Sequence, residues 1–255
     1  MTRALATLSG VYPRLCRALD ARLSAEAAGA GAREVRYPTV IAREVLDRTG
    51  YFEAFPHGAT ALDPAVGLPK GGAWVLQPAV CYQCYAQLAG EQIDRTILTA
   101  AGRCYRHGES SFDGLTRLWE FTMREIVLLG PAEWVRAERE AWLEGAARVV
   151  RALGIETRLA PATDSFFGAV GRGRELIQRL KSLKHELQAD AGEAGEIAVA
   201  SVNLHESFFG SRFGITLDDG AVAHSACIAF GIERLAAALV AQRGEKAAAE
   251  LTAEV

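Results

Sequence analysis

The sequence has little that would tie it to nucleic acid, to a membrane or to export. Its formal net charge is −3, so it has no bulk cationic surface of the kind that binds nucleic acid. The most apolar stretch, AVAHSACIAFGIERLAAALVA, is interrupted by His224, Glu233 and Arg234, which excludes a membrane-spanning helix there. The N-terminus MTRALATLSG lacks a long apolar h-region, which argues against a signal peptide. These absences predict a cytoplasmic protein that spans no membrane.

Cysteines are too few and too scattered for a disulfide framework. There are five, an odd number, spread from Cys16 to Cys227, and such thiols are typical of a reducing compartment, where they can serve as metal ligands. Cys81 and Cys84 form a CxxC pair, but no second CxxC exists. We therefore expect Cys84 to be a packing residue.

Length and hydrophobic content predict one domain. With 255 residues, 50% of them hydrophobic, the chain can bury one large core. Residues 1–33 read as an N-terminal helical segment, residues 34–242 as the core, and the Ala/Glu-rich residues 243–255 as a disordered tail.

The segment pattern predicts an α+β fold. Helical spacing over 13–30, an amphipathic helix over 131–154 and a buried helix from about Gly231 alternate with strand-like runs. RCYRHG and LWEFTMREIVLLG read as a long hairpin, and EIAVASVN and FGITL as further strands. RGRELIQRLKSLKHELQA reads as one helix. Strands in hairpins with helices between them predict an antiparallel sheet flanked by helices.

The stretch 102–130 raises a chemical question. Its last part is a strand-like run that keeps an acid, Glu125, where a core strand would carry apolar residues. From spacing alone, Glu125 is an acid paired with an arginine on the sheet, and Cys81 and Cys227 are ordinary buried cysteines.

Three motifs in order resemble the catalytic domain of class II aminoacyl-tRNA synthetases. They are EVRYPTVIAREVL, with Pro38 at a dimer-forming strand, CYRHGESSFDGLTRLWEFTMRE, and CIAFGIERLAAAL. The wording of the second is similar to the seryl type. The resemblance implies a homodimer that binds ATP with Mg²⁺. It implies that Arg106 clamps the α-phosphate, that Phe121 stacks on adenine, and that Arg234 lies on the far side of adenine, near the γ-phosphate.

A closer resemblance is to the seryl-like amino acid:[carrier protein] ligases, from about Tyr37 onward. PAVCYQCY, TDSFFG, LKHEL, SVNLHESFFGSRFGI and HSACIAFGIERL all look like segments of that group. What this implies is ATP-dependent activation of glycine or alanine as an adenylate, and its transfer to the phosphopantetheine thiol of a carrier protein rather than to tRNA. The alternatives are a stand-alone seryl-like tRNA synthetase and a non-catalytic synthetase paralogue, which would be expected to lose Arg106, Arg234 or a zinc ligand.

The resemblance also implies a zinc site and answers the question about the strand acid. In this subgroup Cys, Glu and Cys hold zinc, and these ligands map onto Cys81, Glu125 and Cys227. Zinc accepts thiolate and carboxylate ligands, and a site that works on substrates keeps one position open. That position could bind the substrate's amino group.

Further site residues are assigned on the same resemblance. The acid expected two places after Arg106 stands one place later, as Glu109, which is predicted to contact ATP or the substrate amine. Glu186 is predicted at ATP-bound magnesium, which takes oxygen ligands, and Asn203 at the substrate; either could also cap a turn.

A basic cluster is the candidate carrier-docking surface. It consists of Arg172, Arg174, Arg179 and Lys181, on a helix predicted to run from Arg172 to Gln188. Carrier proteins are typically acidic next to the phosphopantetheine serine, so complementary charge would steer docking. The alternative is an ordinary solvated helix face.

Overall fold

The computed structural model describes residues 5–63, 72–107, 112–164 and 166–251. Within these ranges the α-helices are α1 (Tyr12–Gly29), α2 (Arg43–Arg48), α3 (Tyr51–Ala54), α4 (Cys81–Gln87), α5 (Ala132–Ala152), α6 (Gly168–Leu180), α7 (Phe208–Phe213) and α8 (Ile232–Leu251). The strands are β1 (Arg33–Glu34), β2 (Val40–Ala42), β3 (Trp74–Leu76), β4 (Gln92–Ile93), β5 (Thr96–Tyr105), β6 (Glu120–Gly130), β7 (Arg158–Pro161), β8 (Lys184–Asp190), β9 (Glu196–Glu206), β10 (Thr216–Leu217) and β11 (His224–Gly231). Among the described residues, no helix combines the length and apolar character needed to cross a membrane.

Seven strands form the central sheet, in the order β1-β5-β6-β11-β9-β8-β7. Every neighbouring pair is antiparallel except β1 and β5, which run parallel. The predicted hairpin is the β5–β6 pair, in which Cys104 lies opposite Phe121. The predicted α+β architecture is therefore confirmed, with β6, β11 and β9 adjacent at its centre.

Both faces of the sheet are covered, and its strands alternate between two cores. Ile126 and Leu128 of β6 pack with α1, α5 and α8 in one hydrophobic cluster. Val127 and Leu129 point to the other face, where they pack with α4 and α7 in a second cluster that includes Cys227. Because successive side chains of a strand point to opposite faces, Glu125 lies on the side of α4, and Arg124 lies on the side of the long helices.

The helix predicted over Arg172–Gln188 is wrong in its second half. α6 ends at Leu180, the chain turns through Ser182 with a left-handed φ of 51°, and β8 follows. The reason is a change of period: Leu187 and Ala189 are buried on one face of β8 while Lys184 and Glu186 lie on the other, which is the alternation of a strand. Lys181 follows the helix, and Glu186 is a strand residue.

Two other expectations need correction. In the predicted strand FGITL only Thr216 and Leu217 are extended, because Phe213 ends α7 and is buried. The tail expected to be disordered is helical through Leu251, with a break at Gly244. Ala248 is fully buried in the core on the α1 side, so apolar contact orders this segment despite its composition.

A buried arginine ties the N-terminal helix to the sheet. Arg124 is 3% exposed and donates hydrogen bonds from Nε and Nη2 to the carboxylate of Asp20 on α1, at 2.8 and 2.9 Å. Its Nη1 donates to Glu34 on β1 at 2.8 Å. A bidentate guanidinium–carboxylate pair fixes distance and orientation together, so α1 is held against β6 and β1 at this point.

The variant Asp20→Ala is expected to lower the free energy of unfolding by about 3 kcal/mol, because it leaves the buried Arg124 with half of its compensating charge. Urea denaturation followed by circular dichroism would measure the change. Glu34→Ala is the matched control. The Glu34 side chain is 59% exposed, so its loss should cost clearly less. Equal effects from the two variants would contradict this account of α1 anchoring.

Candidate active site

A cavity of about 580 Å³ opens on the α4 side of the central strands. It is lined by residues from β6, β8, β9, β11, α4 and the first turn of α8. Eight of the nine residues predicted to act on ATP, substrate or metal line it, namely Cys81, Arg106, Phe121, Glu125, Glu186, Asn203, Cys227 and Arg234. Glu109 lies outside the described residues. Residues more than a hundred positions apart in the chain therefore meet in one chamber.

Cys81, Glu125 and Cys227 form a compact cluster in the cavity lining. One ligand atom from each lies within 4.8 Å of the others, and all three residues are buried. β6 and β11 supply Glu125 and Cys227, which point to the same face, and Cys81 comes from the first residue of α4. Two sulfurs and a carboxylate at this spacing can converge on one divalent cation, and a fourth position would remain open.

Glu125 has the features of a ligand rather than of a salt-bridge partner. Its Oε1 accepts a hydrogen bond from the backbone N–H of Val80 at 2.8 Å. Its Oε2 is buried and has no hydrogen-bond partner among the described residues, an arrangement that is costly unless something else meets that oxygen. Burial, reinforced by the sulfur of Cys227, raises the pKa of Glu125 to about 7. A bound cation would favour the carboxylate and so lower that pKa. The residues present therefore fit a metal ion.

Hydrogen bonds converge on the sulfur of Cys227 from the neighbouring strand. The side-chain amide of Asn203 donates to Sγ at 3.5 Å, and Nε2 of His205 lies 3.3 Å from the same atom. A hydrogen bond from the Cys81 thiol, together with His205 and Asn203, lowers the pKa of Cys227 well below the usual thiol value, and the same contact raises the pKa of Cys81.

Two guanidinium groups line the same cavity. Arg106 follows β5, donates from Nε to the carbonyl oxygen of Pro78 at 2.9 Å, and lies 5.4 Å from the centre of the Phe121 ring. Arg234 stands in the first turn of α8 and donates to the carbonyl oxygens of Thr116 at 2.8 Å and Ala198 at 3.1 Å. Each guanidinium is thus fixed by backbone oxygens, which pre-orients it for an anionic ligand.

The loop before β6 is ordered by one aspartate. The carboxylate of Asp113 accepts backbone N–H bonds from Leu115, Thr116 and Arg117 and a bond from the hydroxyl of Thr116. Burial acts to raise the pKa of Asp113, but these donors outweigh it and lower the pKa to about 2. Since the carbonyl oxygen of Thr116 accepts a hydrogen bond from Arg234, this turn connects the loop to the guanidinium group of Arg234.

Glu233 fixes the start of α8 against β6. Its carboxylate accepts 2.8 Å bonds from the backbone N–H and the hydroxyl of Thr122, the residue after Phe121. Phe121 and Arg234 are therefore held on neighbouring elements. Arg103, three residues before Arg106, pairs with Glu120 at 3.3 Å and lies 3.8 Å from the carboxylate of Glu233.

Sequence reasoning missed an ionic network on the cavity wall. Lys184 donates to Asp164 at 2.6 Å and lies 3.1 Å from the carboxylate of Glu186. Asp164 also accepts from the side-chain amide of Gln178 on α6 at 2.8 Å. Burial would raise the pKa of Asp164, but Lys184 and Gln178 outweigh it and lower that pKa. The sequence pattern predicts a helix over LKHEL. Residues two positions apart, such as Lys184 and Glu186, share a face in a strand but not in a helix.

The predicted docking residues whose side chains the structure describes lie outside the cavity lining. Arg172 and Arg179 are exposed on α6, and Lys181 is exposed just after it; the side chain of Arg174 lies outside the described part of the chain. Arg179 pairs with Glu175 at 3.2 Å, and Lys181 pairs with Glu206 at 2.8 Å. Part of the predicted positive charge is therefore neutralised within the fold.

Comparison with known sequences agrees with this architecture. The family described as the tRNA synthetase class II core domain (G, H, P, S and T) matches residues 70–243. Amino acid–[acyl-carrier-protein] ligase 2 of Bradyrhizobium diazoefficiens is 36% identical over 242 residues, covering 84% of this chain and 71% of that protein. Ligase 1 of the same organism is 34% identical, covering 92% of this chain and 80% of that protein. A type-2 serine–tRNA ligase of Methanococcus aeolicus is 25% identical, covering 91% of this chain and 51% of that protein.

Solved structures show the same fold. The seryl-tRNA synthetase of M. kandleri, in complex with A. aeolicus tRNASec, superposes with a TM-score of 0.79 at 23% identity, over 96% of this chain and 55% of that one. The seryl-tRNA synthetase of Pyrococcus horikoshii, complexed with ATP, superposes with a TM-score of 0.77 at 16% identity, over 97% of this chain and 57% of that one. This chain thus spans little more than half the length of these synthetases.

The fold and the match over most of the chain define a class II synthetase core domain. Within that class the protein belongs to the amino acid–[acyl-carrier-protein] ligase family and is a ligase.

Proposed function

We propose that this protein activates glycine or alanine with ATP as an aminoacyl-adenylate and transfers the aminoacyl group to the phosphopantetheine thiol of a carrier protein. One observation carries the proposal: a single cavity contains both the Cys81–Glu125–Cys227 cluster and the guanidinium groups of Arg106 and Arg234. The first can hold an amine through a metal and the second a triphosphate. The relatives named as acyl-carrier-protein ligases support the acceptor.

The guanidinium groups of Arg106 and Arg234 suit the activation step. In this step a carboxylate oxygen of the amino acid attacks the α-phosphorus and pyrophosphate leaves. Arg106 binds the α-phosphate, where charge develops, and Phe121 stacks on adenine. Arg234 would contact the opposite face of adenine and the γ-phosphate, and Glu186 would provide an oxygen ligand for the Mg²⁺ that accompanies ATP. Both guanidinium groups are already oriented by backbone oxygens, so little reorganisation is needed.

The Cys81–Glu125–Cys227 cluster suits recognition of the substrate's amine. Cys81, Glu125 and Cys227 would hold a zinc ion, which supplies a Lewis-acid position for the substrate's free amino group. Asn203 lies on β9, opposite Cys227 of β11. It also lines the cavity, and we assign it a contact with the substrate. We place the carboxylate of the amino acid between its amine, held at this cluster, and the phosphates, held by Arg106 and Arg234.

Transfer requires the thiol of the carrier's prosthetic group to reach the adenylate carbonyl. The thiol gives up its proton to solvent, attack by its sulfur forms the thioester, and AMP leaves with the electron pair of the acyl–oxygen bond. We place the carrier on the α6 surface, defined as Arg172, Leu176, Ile177, Arg179, Leu180 and Lys181. Leu176, Ile177 and Leu180 are 53%, 52% and 74% exposed. An apolar stripe flanked by cations fits an acidic amphipathic partner. We also propose that the chain forms a homodimer through the segment around Pro38.

The function is tested by two assays. Amino-acid-dependent pyrophosphate exchange across the common amino acids should single out glycine or alanine. The radiolabelled amino acid should then become attached to a carrier protein, only when the carrier bears phosphopantetheine, through a bond that hydroxylamine cleaves readily. Transfer to bulk tRNA at a comparable rate, with none to any such carrier, would establish a tRNA synthetase instead.

The same transfer assay tests the α6 surface. Leu180→Glu should slow transfer roughly tenfold, since an exposed apolar contact in the interface is replaced by a charge that repels an acidic partner. Charge reversal of Arg174, Arg179 and Lys181 together should also slow it, by a factor that shrinks at high salt.

Pyrophosphate exchange should not change in these variants, because a docking surface takes no part in adenylate formation. Leu5→Glu is the matched control. Leu5 is 46% exposed and precedes α1, which packs on the other face of the sheet. Transfer slowed equally by Leu5→Glu, or unaffected by Leu180→Glu, would remove α6 as the docking site.

A further inference from the structure

His205 lies beside the proposed metal cluster, and the assignment of the ligands does not use it. It is a residue of β9, two positions after Asn203 and at the irregularity where the β9–β11 register shifts, and both residues line the cavity. β9 pairs with β11, and Asn203 lies directly opposite Cys227. This register brings Nε2 of His205 to 3.3 Å from the Cys227 sulfur, beside the 3.5 Å contact from Asn203.

We propose that His205 is a positioning residue that donates a hydrogen bond from Nε2 to the sulfur of Cys227 and holds that sulfur in place to bind the metal. The proposal rests on the metal site proposed above and deepens it. It assigns His205 no contact with the amino acid or with ATP.

The orientation of the hydrogen bond follows from the chemistry of a metal-bound thiolate. A cysteine that ligates zinc has lost its proton, so its sulfur can only accept. Nε2 must therefore carry the hydrogen in the metal-bound state, and the imidazole can do this while neutral. Partners of this kind fix the direction of a ligand and tune its basicity.

The net charge of the three ligands explains why a hydrogen bond donated to Cys227 would stabilise the metal-bound cluster. Two thiolates and one carboxylate carry three negative charges, so a divalent cation leaves one negative charge in excess inside a buried cluster. Such a charge is costly unless dipoles or hydrogen bonds compensate it. The N–H groups of His205 and Asn203 both point at Cys227, which lowers this cost.

The imidazole is held rigidly by aromatic side chains. It lies edge-on to Phe209, with ring centres 4.9 Å apart, and edge-on to Tyr85 at 6.3 Å. Tyr85 and Phe209 stack on each other at 3.9 Å, and both are buried. The ring is thus fixed by packing, so its hydrogen bond to Cys227 needs little further ordering.

A pair of substitutions separates the hydrogen bond from the packing. His205→Phe keeps an aromatic ring against Phe209 and Tyr85 but has no N–H. His205→Gln loses the ring but retains an N–H donor. Zinc affinity, measured by competition with a coloured chelator, should fall about 10- to 100-fold in His205→Phe and should recover at least partly in His205→Gln.

The Co²⁺-substituted protein provides a readout that a purely structural role would not change. The thiolate-to-cobalt charge-transfer band should shift in His205→Phe relative to the wild type, because the sulfur loses a donor, and should move back in His205→Gln. His224→Ala is the control: His224 begins β11, the strand that bears Cys227, and should leave both the affinity and the band unchanged.

The outcomes separate this inference from the metal site itself. A wild-type protein that binds neither zinc nor cobalt would overturn the proposed metal site and this inference with it. A wild type that binds the metal, with His205→Phe equal to it in affinity and spectrum, would overturn the role of His205 alone. Equal losses in the Phe and Gln variants would also count against it, because the effect would then follow the shape of the side chain rather than its N–H.

Discussion

Cys227→Ala is expected to remove both the metal and amino acid activation. The purified protein should contain about one zinc per chain, and the variant essentially none, because two remaining ligands do not make a stable site. Pyrophosphate exchange should fall by at least about a thousandfold, since a Lewis-acid contact to the substrate is worth several kcal/mol. Elemental analysis and exchange assays on the same preparation would measure the two losses.

Cys84→Ala is the matched control for this experiment. Cys84 is fully buried and lies three residues after Cys81 on α4, but it does not belong to the cluster. The variant should keep both its zinc and its exchange activity, apart from a modest loss of stability. A preparation that is active without zinc, or a Cys227→Ala protein with normal exchange, would remove the metal from the proposal.

Arg106→Ala and Arg234→Ala are each expected to slow amino acid activation by at least about a hundredfold. Each removes a pre-oriented charge from the place where the triphosphate is expected to react, and the loss of one such donor has this magnitude. The Lys variants should recover little activity, because an ammonium cannot reproduce the bidentate geometry of the guanidinium. The assay is pyrophosphate exchange at saturating ATP, with thermal unfolding as a check on the fold.

Arg158→Ala serves as the control for loss of a surface arginine. Arg158 lies on β7 and pairs with Glu196 at 2.8 Å, with both side chains more than half exposed, so its removal should change little. Near-normal pyrophosphate exchange in both Arg106→Ala and Arg234→Ala would show that ATP does not bind beside these two arginines.

The parts of the site best predicted from the sequence are those within contiguous motifs. Arg106 and Phe121 lie on either side of the loop of one hairpin, and Arg234 directly follows a strand, so each stands in a contiguous motif that the resemblance to class II synthetases could identify. The strand acid Glu125 was recognised as unusual because it interrupts an apolar run. The structure gives this residue a physical basis in its unpaired buried oxygen, which sequence spacing could not reveal.

Residues brought together by strand pairing were not predictable in the same way. His205 reaches Cys227 only because β9 and β11 pair with Asn203 opposite Cys227, and a single sequence does not specify register. Asp164 and Lys184 were missed for a related reason. The segment after α6 contains good helix formers, and its strand conformation is imposed by pairing with β7 and β9, a tertiary effect that overrides local propensity.

Arg124 and Glu125 are adjacent in the chain but serve opposite sides of the sheet. The first anchors α1 through Asp20, and the second faces the cavity. A strand has a period of two, so a slip of one residue would exchange them. The guanidinium would then enter the place of a proposed metal ligand, and the carboxylate would face apolar helices. The register of β6 is therefore specified by two adjacent side chains of opposite charge. A chain that folds with β6 shifted by one residue would lose both the anchorage of α1 and the proposed metal site.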